Sequence, residues 1–381
     1  MLESRGEMKV GVRAMAEHSG RVRHGGDIYS RPVKLDFSVN VNPLGAPRTV
    51  CRVFFESARE LGCYPDHESR ALRRLLSARM RIREDWILCG NGASELLQAA
   101  VLALHPERAI LPVPSFSGYR HALCALDTVR GKKTAVTELV LKASQNFRLE
   151  EEIFELPRAE LMILCLPNNP VGNLLPLSVI KRILLHCRRM NMHLLLDCCF
   201  LSLTEEGETL MPELTGLLGE FPELLLVDAL TKSHALPGLR VGWLCCSDIV
   251  LTAAIRAVQA EWSVSVPGTR AAIAALTADE DYLCRSRRLI RRERAYLARG
   301  LRKIGYRVFP GSANFILFRA EEALFLPLLE RGILIRSCAD YAGLDEHYYR
   351  IAVRRREENR ALLRALTELS NIREREHGAQ D

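Results

Sequence analysis

A lysine and an aspartate at the ends of short apolar runs, with an arginine eight residues after the lysine, together outline a chemistry. Lys232 comes after the run Leu224–Val227 and is one of only 8 lysines against 45 arginines. A primary amine at the buried end of a strand can have a depressed pKa and act as a nucleophilic Schiff-base amine. Asp197 closes the run His193–Leu196. A carboxylate there caps a helix, binds a metal or pairs with the protonated ring nitrogen of a cofactor. Arg240 comes eight residues after the lysine, where a loop can return it to an anion shared with Ser94 and Thr231. Gly90-Asn91-Gly92-Ala93-Ser94-Glu95 supplies a seat for that anion. Glycines permit the tight turn, and free N–H groups at a helix start attract phosphate. Glu95 stands where a dinucleotide fingerprint needs its third glycine, so a phosphate-bearing cofactor gains support and a nicotinamide dinucleotide does not. Singly, each residue has an ordinary explanation: a surface lysine, a helix cap, a common turn. The joint pattern is what points to chemistry.

The elements that must position these residues alternate in type. Trp86–Cys89, Ala109–Leu111, Leu161–Leu166, His193–Asp197, Leu224–Val227 and Val241–Cys246 read as strands, and Ser94–Leu104 and Leu177–Met190 as helices between them. Strand, loop, helix, strand in this order predicts an α/β fold with a mostly parallel sheet, whose ligands sit beyond the carboxyl ends of the strands. After about residue 280 the pattern changes. A basic helix precedes Tyr306–Phe309, Asn314–Phe318, Gly332–Arg336 and Tyr349–Val353, with helices from Glu321 to Arg331 and from Glu357 to Leu369. This predicts a smaller α+β domain with a mainly antiparallel sheet. No internal repeat is visible.

Composition excludes several classes. The 381 residues are 48% apolar and 26% charged, which is globular rather than disordered, collagenous or low-complexity. No run approaches the roughly 18 apolar residues of a membrane span, and the first 20 residues lack the apolar core of a signal peptide. The 12 cysteines are scattered, without a C-x-x-C pair, and read as reduced, mostly buried small apolar residues. The expectation is a cytoplasmic protein. The net charge of +7 has its densest cluster from Arg285 to Lys303. Leu289, Ile290, Leu297, Leu301 and Ile304 recur there at helical spacing, so the arginines form a solvated face rather than a nucleic-acid surface.

Asn169 in PNNPVG, Asp197, Lys232 and Arg240 resemble the ordered set of fold-type I pyridoxal-phosphate enzymes, the aspartate aminotransferase superfamily. HGGDIYS (24–30), LDFSVNVNPLGAP (35–47) and RIAVRRREEN (350–359) narrow the resemblance to the branch of L-threonine-O-3-phosphate decarboxylases and histidinol-phosphate aminotransferases. It implies an N-terminal arm (1–30), a segment packing with the small domain (31–55), a large cofactor-binding domain with a seven-stranded sheet (56–280) and a small C-terminal domain (281–381). It implies that Lys232 holds pyridoxal 5'-phosphate covalently, Asp197 pairs with the ring N–H, Asn169 bonds the phenolic oxygen and Phe116 stacks on the ring. Gly92, Ala93, Ser94, Thr231 and Arg240 would hold the cofactor phosphate, with Tyr64 of CYPD reaching it from the other subunit of a homodimer. Arg350, with Arg336 beside it, would bind the substrate carboxylate, and His24 and Asn42 would line the substrate end. Two departures stand out. Cys198 and Cys199 follow Asp197 where the family usually has Glu-Ala, and Phe200 stands where aminotransferases of this branch usually have a tyrosine. Phe200 tilts the expectation toward decarboxylation of threonine phosphate in cobalamin synthesis, with a histidinol-phosphate-type aminotransferase as the alternative. A ligand-sensing module of the same fold is the non-enzyme alternative; the roughly 30 residues before Pro32 are too few for a DNA-binding domain.

Overall fold

The computed structural model describes residues 25–377, with side-chain environments through residue 371. His24 and most of the N-terminal arm lie outside the described residues. The first strand, β1 (Leu35–Asp36), belongs to the small domain's side of the molecule. The main sheet is built from β2 (Ile87–Gly90), β3 (Arg108–Val113), β4 (Ala135–Val140), β5 (Leu161–Cys165), β6 (His193–Asp197), β7 (Leu224–Ala229) and β8 (Gly242–Cys245). Its order is β2-β8-β7-β6-β5-β3-β4. The run from β7 through β4 is parallel, and β8 is antiparallel to both of its neighbours.

The central strands LMILC, HLLLD and LLLVDA carry apolar residues at both parities because both faces are covered. Leu164, Leu196 and Leu226 pack on one side, and Ile163, Leu195 and Leu225 on the other. Six of the seven strands follow from such apolar runs. The seventh, β4, is the edge strand AVTELV, interrupted by Thr137 and Glu138 and only partly buried, so no apolar run marks it.

The smaller domain carries β9 (Arg307–Val308), β10 (Phe315–Arg319), β11 (Ile333–Leu334), β12 (Arg336–Ser337) and β13 (Tyr348–Ala352). The sheet β12-β13-β10-β9 is antiparallel, while β11 pairs in parallel with β1. The stretch Gly332–Arg336, which reads as one strand, is thus divided between two sheets. Phe37, just after β1, joins Leu297, Leu301, Phe318, Ile351, Leu362 and Leu366 in the small core. The helices Tyr282–Lys303 and Arg356–His377 cover it, with buried Glu293 bonded to Arg356 and Asn359 between them. All 12 cysteines are free, and seven of them are buried. Among the described residues no helix is long and apolar enough to cross a membrane.

Candidate active site

The polar residues converge at the carboxyl end of the main sheet, where the small domain closes over it. β7 ends at Ala229, and the helical turn Leu230–Ser233 presents Lys232 and buried Thr231. The turn is pinned from outside the sheet. Asn42 donates its backbone N–H to the Lys232 carbonyl at 3.0 Å and its side-chain amide to Ser233 O and Ser286 Oγ, each at 2.7 Å. Its carbonyl oxygen accepts from Leu44 N. The Asn42 side chain therefore braces the lysine's turn, a different placement from the substrate-lining one expected from the resemblance.

Lys232 Nζ makes no hydrogen bond or ion pair among the described residues and lies 5.9 Å from the centroid of the Phe200 ring. Burial, and then the positive charge of Arg350, push its pKa down to about 8. Removal from water disfavours an ammonium, so a large share of this amine is neutral near pH 8.

Asp197 is buried at the end of β6. Its Oδ2 accepts from Tyr119 Oη at 2.8 Å and its Oδ1 from the Cys199 amide at 3.0 Å. Burial, followed by the Asp197 charge, holds the Tyr119 hydroxyl well above its usual range, so it remains a donor. Phe116 begins the helix Ser117–Arg130, edge-to-face with Tyr119 at 5.5 Å. A Cβ at Gly118 would stand 2.2 Å from the Phe116 ring, so glycine there allows that ring position.

The anion seat opens the helix Gly92–Leu104. Gly92 has φ +75°, and a Cβ on it would lie 2.6 Å from Arg240 Nη2. Gly242 on β8 has as little room, with Ala93 N and Asp228 O each 2.9 Å from a would-be Cβ. Arg240 itself adopts φ 53°, bringing its guanidinium back over the loop. Its contacts there, to Pro237 O and Asn91 O, are both long at 3.5 Å. A guanidinium so weakly held beside helix N-terminal amides suits a phosphate.

Arg350 on β13 is 6% exposed. It donates to Asn169 Oδ1, to Ser38 O at 2.7 Å and to Tyr341 Oη at 3.4 Å. The Asn40 amide oxygen, turned toward it, accepts at 3.2 Å. Every one of these acceptors is neutral. Asn169, also buried, is thereby oriented with Nδ2 uncommitted among the described residues. Arg336 is different, since both Asp340 oxygens accept from it at 2.8 Å. Phe200 and Phe315 pack edge-to-face at 5.1 Å and form the apolar wall between Lys232 and Arg350. Tyr64 stands apart, 82% exposed, with its ring 5.0 Å from Trp262.

Tyr119, Ser38, Asn40 and Tyr341 escaped the sequence reading. For two of them a signal exists: Ser38, Asn40 and Asn42 alternate with valines, and the polar set is the buried one. That inverted alternation marks a strand-like segment turned toward a polar site. Gly25 and Gly26 dock on the same segment, with Gly26 N bonded to Ser38 Oγ at 2.7 Å.

The model for aminotransferase class I and II matches residues 32–366. The chain belongs to that family. Threonine-phosphate decarboxylase of Salmonella typhimurium is 33% identical to this family member over 357 residues, covering 92% of this chain and 95% of the relative. The structure of histidinol-phosphate aminotransferase from Clostridium acetobutylicum superposes with a TM-score of 0.79 at 29% identity, over 88% of this chain and 99% of that one. A histidinol-phosphate aminotransferase from Sinorhizobium meliloti, in complex with pyridoxal-5'-phosphate, shares the fold with a TM-score of 0.77 at 21% identity, over 90% and 92% of the two chains. The family's cofactor is pyridoxal phosphate, and this site's chemistry fits it: an amine whose pKa burial lowers to about 8, a buried carboxylate held by a tyrosine, and a glycine-lined turn under a loosely held arginine.

Proposed function

We propose that this enzyme decarboxylates an O-phosphorylated amino acid, converting L-threonine O-3-phosphate to (R)-1-amino-2-propanol O-2-phosphate in cobalamin biosynthesis. It would work as a cytoplasmic homodimer with shared active sites. The observation that carries the reading is Phe200, which puts an apolar ring beside Lys232 where aminotransferases of this branch usually have a tyrosine hydroxyl. The identity with the Salmonella decarboxylase, nearly end to end, supports it. The outward-facing Tyr64–Trp262 pair supports a second subunit.

Pyridoxal phosphate, when bound, supplies an electron sink for the charge left on the substrate Cα. The residues of the chain do the rest. Ala93, Ser94, Thr231 and Arg240 would hold the cofactor's phosphate, Lys232 would provide the attachment, Asp197 would keep the ring nitrogen protonated, and Asn169 would donate to the phenolic oxygen. Arg350 receives the substrate carboxylate in a two-pronged contact, drawing on donors now given to neutral acceptors. These contacts would set which bond at the substrate Cα is aligned to break, so positioning decides between losing carbon dioxide and losing a proton. Lys232 Nζ then delivers a proton to Cα. The Phe200–Phe315 wall keeps water away from that step.

The alternative, a histidinol-phosphate-type aminotransferase, draws on the likeness to the Clostridium structure. The two part in one measurement. Holoenzyme mixed with histidinol phosphate, without a keto acid, should keep its visible absorbance band; stoichiometric bleaching would favour the aminotransferase.

A further inference from the structure

The basic helix Tyr282–Lys303 does more than present charge to solvent. Arg287, Arg291, Arg294, Ala298 and Arg302 share one face of it and line a groove of about 340 Å³. Leu203, Glu205 and Glu206 of the large domain and the segment 308–312 form the other walls. The acidic side chains gather at one end. Arg291 pairs with Glu205 at 2.9 Å, Arg287 with Glu208 at 2.6 Å, and Glu206 accepts from Ser312 Oγ at 3.3 Å. Arg302 lies about 16 Å further along the axis than Arg291, at 1.5 Å per residue.

Beyond Arg291 two guanidinium groups, Arg294 about one turn on and Arg302 about three turns on, have no acidic partner among the described residues. Arg294 Nη1 donates to the carbonyls of Ala313 and Phe315, while Nε and Nη2 have no acceptor there. Burial, and then the charge of Arg302, push the Arg294 pKa down to about 10. The helix C-terminus accounts for Arg302, whose charge complements the helix dipole. It does not account for Arg294, two turns back and half-buried.

We propose that this groove is a second anion site, apart from the catalytic cleft, which takes a phosphate-bearing small molecule between Arg294 and Arg302. Guanidinium forks match phosphate oxygens in pairs. Ala295 and Ala298 leave room where longer side chains would fill the groove, and the volume is in the small-molecule range. An anion there removes the repulsion between the two arginines. The groove also reaches the walls of the cleft. Arg294 holds the Phe315 carbonyl, and the Phe315 ring packs on Phe200. Ser312 N donates to Gly172 O at 2.8 Å, on the loop that carries Asn169.

Calorimetric titration of the holoenzyme with inorganic pyrophosphate, in phosphate-free buffer, tests the site. The readout is binding, so the result stands whichever reaction the cleft performs. The expected result is a binding step that Arg302→Ala weakens at least tenfold and Arg294→Gln weakens as well, separate from any pyrophosphate bound in the cleft, which Arg302→Ala leaves unchanged. Arg302 is exposed, and the melting temperature of its variant should match the wild type. Absence of binding at millimolar pyrophosphate, or unchanged binding in Arg302→Ala, overturns the proposal.

Discussion

Arg336 and Arg350 are register partners on β12 and β13, two buried arginines directly opposite each other, and only Arg336 has an acidic partner. Like charges facing across a ladder repel. Asp340 offsets one of them through both carboxylate oxygens. Arg350 faces only neutral acceptors, the surroundings that the proposed carboxylate site requires. An uncompensated buried charge is costly unless something pairs with it in use.

Replacing the two arginines should therefore have unequal effects. Arg350→Ala removes a charge-assisted pair to the substrate carboxylate, a loss of roughly 2–5 kcal/mol, or about 30- to 4,000-fold in kcat/KM. Arg336→Ala should cost less in catalysis and leave Asp340 without its partner. Steady-state kinetics on both variants decides the ranking; equal activity of Arg350→Ala and wild type would move the carboxylate site elsewhere.

Tyr119→Phe deletes the 2.8 Å hydrogen bond to Asp197 while keeping the ring against Phe116. Hydrogen bonds to charged groups contribute roughly 1.5–3 kcal/mol, so turnover should fall about 10- to 100-fold, and the melting temperature should fall as well because a buried acceptor loses its donor. A role in packing alone predicts lower stability at full activity.

Gly92→Ala imposes a Cβ at φ +75° and 2.6 Å from Arg240 Nη2. The guanidinium must move from the anion seat, and the backbone is strained as well. Equilibrium dialysis should show weaker pyridoxal phosphate binding than in Gly131→Ala. That control also has a positive φ, at +70°, but nothing lies near its would-be Cβ.

Lys232 gives a pH-dependence with a definite sign in the cofactor-free protein. Its pKa falls from 10.5 to about 8 on folding. Between those values the unfolded chain binds the extra proton, so this group makes stability rise with pH across that window. Its penalty is fully present below about pH 8. Lys232→Met removes the penalty, so the variant should melt above wild type at pH 7, with the gap closing toward pH 10.5. A gap independent of pH would show that the amine is not desolvated.

The central strands were legible because β5, β6 and β7 are apolar on both faces, a pattern few other elements share. β4 was hidden because an edge strand can be interrupted by polar residues and still pair with β3. Lys232 and Asp197 read as polar residues at the ends of apolar runs, and Arg240 by its spacing from the lysine. Tyr119 was not legible, because a tyrosine on a helix reads as core until its hydroxyl is seen to meet a carboxylate 78 positions away. The division of labour between Arg336 and Arg350 was equally hidden. It depends on Asp340 turning back to the nearer arginine and on Asn169 crossing from the other domain. Asn42 shows the converse, since its position beside a site motif reveals nothing about which groups its amide holds.

Incubation of holoenzyme with L-threonine O-3-phosphate, with carbon dioxide and phosphorylated 1-amino-2-propanol quantified over many turnovers, tests decarboxylation itself. Equimolar formation of both products is expected, with the visible band of the cofactor restored each cycle. Absence of carbon dioxide, from enzyme that transaminates histidinol phosphate, would contradict it.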